Sequence, residues 1–212
     1  MIRRCEDKLK ALFADYYIFP KDEEELKKIV KVAQSLNYSL IGIDEKYSTK
    51  ISSLASEQLK VLTSRRVEAF DEREAKNKLH AAGKKVSITI GVAKGASALR
   101  FFSKNKSVDI IEISPKLHRV MDKNQADLMK QGKTSIGINL GEIVRKLELI
   151  PFAEFLIKYA LKYDIKIAFY SGAEKYSELW HPRSVFHLLK TFGITERVAK
   201  SIVLDMRIKN LA

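Results

Sequence analysis

Two short stretches limit the fold more than any other feature: VSITIGV at 86–92 and IKIAFYS at 165–171. Both are apolar on both parities, or nearly so. A strand with water on one face alternates apolar and polar residues, so strands like these must be covered on both faces, as parallel strands flanked by helices are. Similar runs at Tyr16–Phe19, Ser39–Ile43, Val61–Val67, Asp109–Ile113 and Ser135–Asn139 complete a series of seven expected strands, with the first two stretches read as Val86–Val92 and Lys166–Tyr170. Amphipathic helices fit the intervals: Glu23–Ser35 behind an Asp22 N-cap, Asp71–Ala81, Ala96–Lys104, Lys123–Lys130 and Phe152–Tyr163, then Pro182–Thr191 and Glu196–Asp205 at the end. Strand–helix repetition at this spacing predicts successive βα units, in an open doubly wound sheet or a closed barrel. No glycine-rich phosphate loop follows the first strand, which favours the barrel. With nine Gly and four Pro in all, no linker divides the 212 residues, and one domain is expected.

The charge narrows the choice of partner. Thirty-nine Lys and Arg against 26 Asp and Glu leave +13, with a pI near 9.7. Such an excess favours a polyanion, nucleic acid or an anionic membrane surface. The cations are spread through folded segments and are not gathered on one amphipathic helix, which argues against the membrane. No stretch approaches the ~20 apolar residues of a membrane span. The first residues, MIRRCEDKLKALFADYY, do not read as a secretory signal. Cys5 is the single cysteine, so no internal disulfide forms, and a reducing cytoplasm fits.

The helix over Pro182–Thr191 carries unusual cationic equipment. Pro182 suits the first helical position, Gly193 a left-handed stop, and Val185, Leu188, Leu189 and Phe192 form an apolar stripe. Arg183, His187 and Lys190 share the opposite face. Arg183 lies in the first turn, where open backbone N–H groups and the helix dipole favour an anion. A solvated surface is the plain alternative. In a barrel, function gathers at the carboxyl ends of the strands. Those ends carry Asp44, Glu45 and Lys46, then Arg65 and Arg66, Lys94, Ser114 with Lys116, His118 and Arg119, Asn139, and Ser171 to Lys175. A Ser-Pro turn followed by three cationic side chains suits a phosphate. Convergent His and carboxylate ligands are missing: of His80, His118, His181 and His187, none ends an early strand. Neither a metal nor another cofactor is expected.

The C-terminal third, YSGAEKYSELWHPRSVFHLLKTFGITERVAKSIV, resembles ribonuclease P protein component three, the archaeal counterpart of the thirty-kilodalton subunit of eukaryotic RNase P and MRP. Ser171-Gly172-Ala173, Pro182-Arg183, Leu189, Phe192-Gly193-Ile194 and Ala199-Lys200 carry the pattern, with VDIIEISP and QADLMKQGKTSIGINLGEIV upstream. The resemblance runs from about 84 to 205, weakens over 15–83, and leaves 1–14 as an N-terminal extension before the barrel core of 15–212. It implies a distorted TIM-type barrel related to the PHP phosphoesterases but without their metal ligands. It implies a non-catalytic subunit that supports the RNase P RNA in removing the 5′ leader of precursor tRNA, paired with the RRM-like component two and other RNase P proteins. Gly172 departs from the family's serine. The RNA-binding candidates are then Lys46, Arg65, Arg66, Lys94, Lys116, His118, Arg119, Lys175, Arg183, His187 and Lys190. The alternative is a stand-alone PHP-type phosphoesterase using Asp44, Glu45 and His118.

Overall fold

A computed structural model of the chain describes residues 13–81 and 86–204. Seven parallel strands pair in sequence order: β1 (Phe13–Ile18), β2 (Tyr38–Asp44), β3 (Lys60–Ala69), β4 (Ile88–Ala93), β5 (Ile110–Ile113), β6 (Ser135–Asn139) and β7 (Ile167–Tyr170). Helices α1 (Glu23–Ser35), α2 (Glu72–Ala81), α3 (Ala96–Lys104), α4 (Lys123–Gly132), α5 (Leu140–Arg145), α6 (Ile150–Tyr163), α7 (Pro182–Thr191) and α8 (Glu196–Leu204) follow the strands. The result is a nearly closed barrel ringed by helices, as expected. Asp22 caps α1 by accepting the Glu25 N–H at 2.8 Å, and Asp71 does the same for α2 through Glu74.

β1 begins at Phe13, inside the stretch expected to be an extension, and Phe13 pairs with Tyr38. Ala14 of that stretch also lies in β1, whereas residues 1–12, Cys5 among them, lie outside the described residues, as does the expected end of α8 at Asp205. Helix α5 is an addition to the expected elements. Its six residues are too short to show periodicity, but its start is marked: the Asn139 side chain accepts the Glu142 N–H at 3.1 Å.

Register shows which side chains enter the barrel. Ile90 pairs with Arg66 and Ile110, and Val92 with Glu68 and Glu112. Gly91, between them, faces outward, where a Cβ would lie 2.7 Å from the Phe102 ring of α3. Arg66 and Glu112 therefore project into the interior from strands on either side of β4. The outward faces are dry. Ile41, Ile43 and Val61 pack with Leu26, Ile29 and Val30 of α1, while Ile111, Ile136 and Phe169 belong to a larger cluster that includes Leu156, Leu189 and Ala199.

The seam between β7 and β1 is closed by backbone just beyond β7. Gly172 donates to the Tyr17 carbonyl at 2.9 Å, Phe19 to Ala173 at 2.9 Å and Lys21 to Glu174 at 3.0 Å. Asp15 completes the seam, its carboxylate accepting the Ser171 N–H at 3.0 Å and the Tyr17 N–H at 3.3 Å. Burial drives the Asp15 carboxyl up to about 6, against the opposing effect of these donors. The folded chain then holds a proton that the unfolded chain has released, so this residue's contribution to stability falls as pH rises from about 4 to about 6. Asp15→Asn is expected to remove up to about 3 kcal/mol of that pH-dependent difference. Urea unfolding of both proteins at pH 4, 5, 6 and 7 checks it; parallel profiles would show that Asp15 titrates normally.

Candidate nucleic-acid interface

Helix α7 forms as its sequence requires. Pro182 occupies its first turn, and Gly193 just beyond it takes φ of 75°. Val185, Leu189 and Phe192 are buried and Leu188 partly so, while Arg183, His187 and Lys190 are exposed. Lys190 lies 3.9 Å from Glu196. The helix N-terminus differs from expectation. The His181 imidazole accepts the Arg183 N–H through Nδ1 at 3.0 Å, and the His181 carbonyl accepts the Ser184 N–H at 2.8 Å. With both first-turn donors bonded and Pro182 carrying none, an anion at α7 must be held by the Arg183 side chain, not by the backbone.

The segment after β5 forms a 3-10 turn over Pro115–Val120. Leu117 is buried beneath it, and Lys116, His118 and Arg119 are exposed. The His118 ring rests on Phe155 of α6, with centroids 4.1 Å apart. Lys175 is exposed in the segment after β7.

The remaining candidates are engaged within the fold. Arg65 is buried on the outer face of β3 and grips Glu45 with two hydrogen bonds, Nε to Oε1 at 2.7 Å and Nη2 to Oε2 at 2.5 Å. Arg66 makes a matching pair inside the barrel, Nη2 to Glu112 Oε1 at 2.7 Å and Nε to Oε2 at 3.3 Å. The Tyr170 hydroxyl donates to the same Oε2, and burial, reinforced by the Glu112 charge, holds that phenol well above the ordinary tyrosine range. Lys46 donates to the Pro20 carbonyl at 3.0 Å and sits 3.7 Å over the Phe19 ring. Lys94 reaches Glu68 at 3.4 Å. Among the described residues, Lys116, His118, Arg119, Lys175, Arg183 and His187 have no carboxylate within ion-pair distance, and these present their charge or their donors to solvent.

The carboxylates that would serve a phosphoesterase are committed elsewhere. Asp44 accepts the Tyr17 hydroxyl at 2.9 Å and the Lys46 N–H at 3.1 Å, and Glu45 holds Arg65. His118 is turned to an aromatic surface on α6. No group of three His, Cys, Asp or Glu side chains placed to hold a metal occurs among the described residues. Likewise, no helix among them is long and apolar enough to cross a membrane.

Sequence reasoning missed Glu112 and Asp15, the carboxylates that organise the barrel interior and its seam. Each is a lone acid in an apolar strand, IIEI for Glu112 and FADYYI for Asp15, and that isolation was the available signal. Gly172, where the resemblance calls for serine, takes φ of 59° in the seam-closing turn, and a Cβ there would meet the Asn139 amide at 3.3 Å.

Comparison with known proteins agrees with the barrel fold. The chain superimposes on a chain of the cryo-EM structure of archaeal ribonuclease P with mature tRNA. The TM-score is 0.72 at 19% identity, covering 88% of this chain and 86% of that one. It also matches histidinol phosphate phosphatase from Lactococcus lactis subsp. lactis, solved with zinc, L-histidinol and phosphate. There the TM-score is 0.60 at 12% identity, covering 87% of this chain and 95% of that one. At these identities both likenesses establish the fold alone, a barrel shared with the histidinol phosphate phosphatase. No curated protein matches the sequence. Family membership comes from the sequence itself, which matches RNase P subunit p30 over residues 12–207, nearly its whole length, and so the chain belongs to the RNase P subunit p30 family.

Proposed function

We propose that the chain serves tRNA processing as a subunit of ribonuclease P by holding RNA phosphates on its unpaired cations, leaving phosphodiester cleavage to the RNA component. The observation that carries this is the division among its cations. Arg65 and Arg66 are consumed by Glu45 and Glu112, whereas Lys116, Arg119, Lys175 and Arg183 face solvent without a carboxylate partner among the described residues. Exposed guanidinium and ammonium groups bind phosphate well, and Arg does so bidentately. His118 and His187 add donors next to this charge. Family membership supports the assembly, and the RRM-like component two and other RNase P proteins are the protein partners this proposal carries. The phosphoesterase reading is the weaker one, because Asp44, Glu45 and His118 each have a structural engagement.

The test is reconstitution of precursor-tRNA cleavage by the RNase P RNA, with and without this chain. Stimulation at limiting protein supports the proposal; hydrolysis of phosphodiesters by the chain alone, with added metal and no RNA component, would replace it. Within that assay Arg183→Ala is expected to lower stimulation about tenfold to a hundredfold, the loss of one charge-assisted contact. Because the α7 backbone donors are already bonded, no second contact falls with it. Thermal unfolding should be unchanged, since Val185 and Leu189 keep their packing. Wild-type stimulation by this variant would make that face of α7 a plain solvated one.

A further inference from the structure

A groove of about 590 Å³ lies between α5 and the chain entering α7, lined by Gly141, Val144 and Arg145 on one side and by Ser177, Trp180, His181 and Ser184 on the other. We propose that this groove takes a nucleotide of single-stranded RNA, its phosphate on Arg145 and its base against Trp180. The inference rests on the RNA-binding reading above and gives it a site that the candidate residues did not include.

The groove is built by its glycine. A Cβ on Gly141 would lie 2.3 Å from the Ser171 carbonyl oxygen, so only glycine lets the first turn of α5 press against the end of β7. The Arg145 guanidinium, one turn later, folds back so that Nη2 and Nη1 lie 3.4 and 3.5 Å from the position that Cβ would take. Arg145 is exposed and has no carboxylate partner among the described residues, although Glu142 of the same helix pairs with Lys146 at 3.2 Å. A planar cation held without a counter-ion is suited to bidentate phosphate binding.

The opposite wall supplies the other elements of a nucleotide. Trp180 is partly exposed, and its backbone is anchored by the Tyr38 hydroxyl, which donates to the Trp180 carbonyl at 2.5 Å. The indole packs partly against the core, and the part left exposed is a stacking surface for any base. His181 uses Nδ1 to accept the Arg183 N–H, so its neutral ring carries the proton on Nε2 and offers it as a donor. Ser177 and Ser184 add hydroxyls able to bond a ribose. The carboxylate in the lining, Glu178, is turned to the backbone N–H of Glu174 at 2.8 Å. A groove of this size with one unneutralised cation, an aromatic face and hydroxyl donors favours a nucleotide over an acidic or apolar peptide.

Trp180 is the only tryptophan of the chain, so tryptophan emission reports on the wall of this groove. The experiment titrates the full chain with a uridine pentanucleotide at low salt while following that emission, and in parallel measures retention of precursor tRNA on a filter. Saturable quenching is expected, with a midpoint raised about tenfold in Arg145→Ala, whose unfolding should match wild type because the side chain is exposed. If precursor tRNA is retained but Trp180 emission does not respond, or Arg145→Ala titrates like wild type, the groove is not a nucleotide site. The groove, whose lining includes Val144 at 56% exposure, would then read as a protein-facing surface, and the phosphate-binding proposal would stand. If no RNA is retained at all, both proposals fail together.

Discussion

Replacing Glu112 by alanine is expected to destabilise the chain by about 3 kcal/mol, more than any single change to its surface charges. Two losses combine. Arg66 would be left without its carboxylate, and stranding one member of a fully buried ion pair costs roughly 3–5 kcal/mol. The Arg66 side chain is 30% exposed, so water relieves much of that cost and about 2 kcal/mol remains. Tyr170, 1% exposed, would lose the acceptor of its hydroxyl, adding about 1 kcal/mol. Glu112→Gln should fall between, because a glutamine oxygen still accepts from Tyr170 although the charge opposite Arg66 is gone. Arg65→Ala should cost less than Glu112→Ala, since it leaves behind Glu45, whose side chain is 40% exposed and can be hydrated. Chemical denaturation of the three variants gives the order directly. An Glu112→Ala protein within about 1 kcal/mol of wild type would mean that the Arg66 guanidinium finds solvent, and would return it to the surface available to RNA.

That pair shows where sequence reasoning stops. The barrel was legible because strands such as ITIGVA and IAFY are apolar on both faces, and only cover on both sides satisfies them. Helices α1 and α7 were legible to the residue because Asp22, Pro182 and Gly193 punctuate them. What a charge does is set by its distant partners. Arg65 and Arg66 are adjacent in sequence, yet one turns outward to Glu45, 20 residues before it, and the other inward to Glu112, 46 residues after it. Nothing local distinguishes them from Lys116 and Arg119, which stay in solvent. The His181 cap was hidden for a related reason: histidine is a rare N-cap, and its role is visible only once Nδ1 is seen facing the Arg183 N–H. The seam carboxylate Asp15 bonds a residue 156 positions away.

The same division of the cations fixes how steeply salt should weaken RNA binding, and the expected effect is large. A net charge of +13 suggests, by itself, more phosphate contacts than the fold can offer at once. Many lysines are already paired along their helices, as Lys76 with Glu72, Lys78 with Glu74 and Lys158 with Glu154 show. The full cations proposed to meet phosphate are Lys116, Arg119, Lys175 and Arg183, with Arg145 beside them. Each neutralised phosphate releases condensed counterions, so four or five contacts give a log–log slope of about −4. Affinity for precursor tRNA should then fall roughly a hundredfold to several hundredfold between 50 and 200 mM monovalent salt. Arg183→Ala should flatten the slope by about one unit, whereas Arg65→Ala should leave it unchanged, because Arg65 already has its counter-charge in Glu45. Filter binding of the wild type and both variants across that salt range decides the matter. A slope near zero would remove phosphate contact as the basis of binding, and a slope near −10 would show that the paired lysines exchange their carboxylates for phosphate.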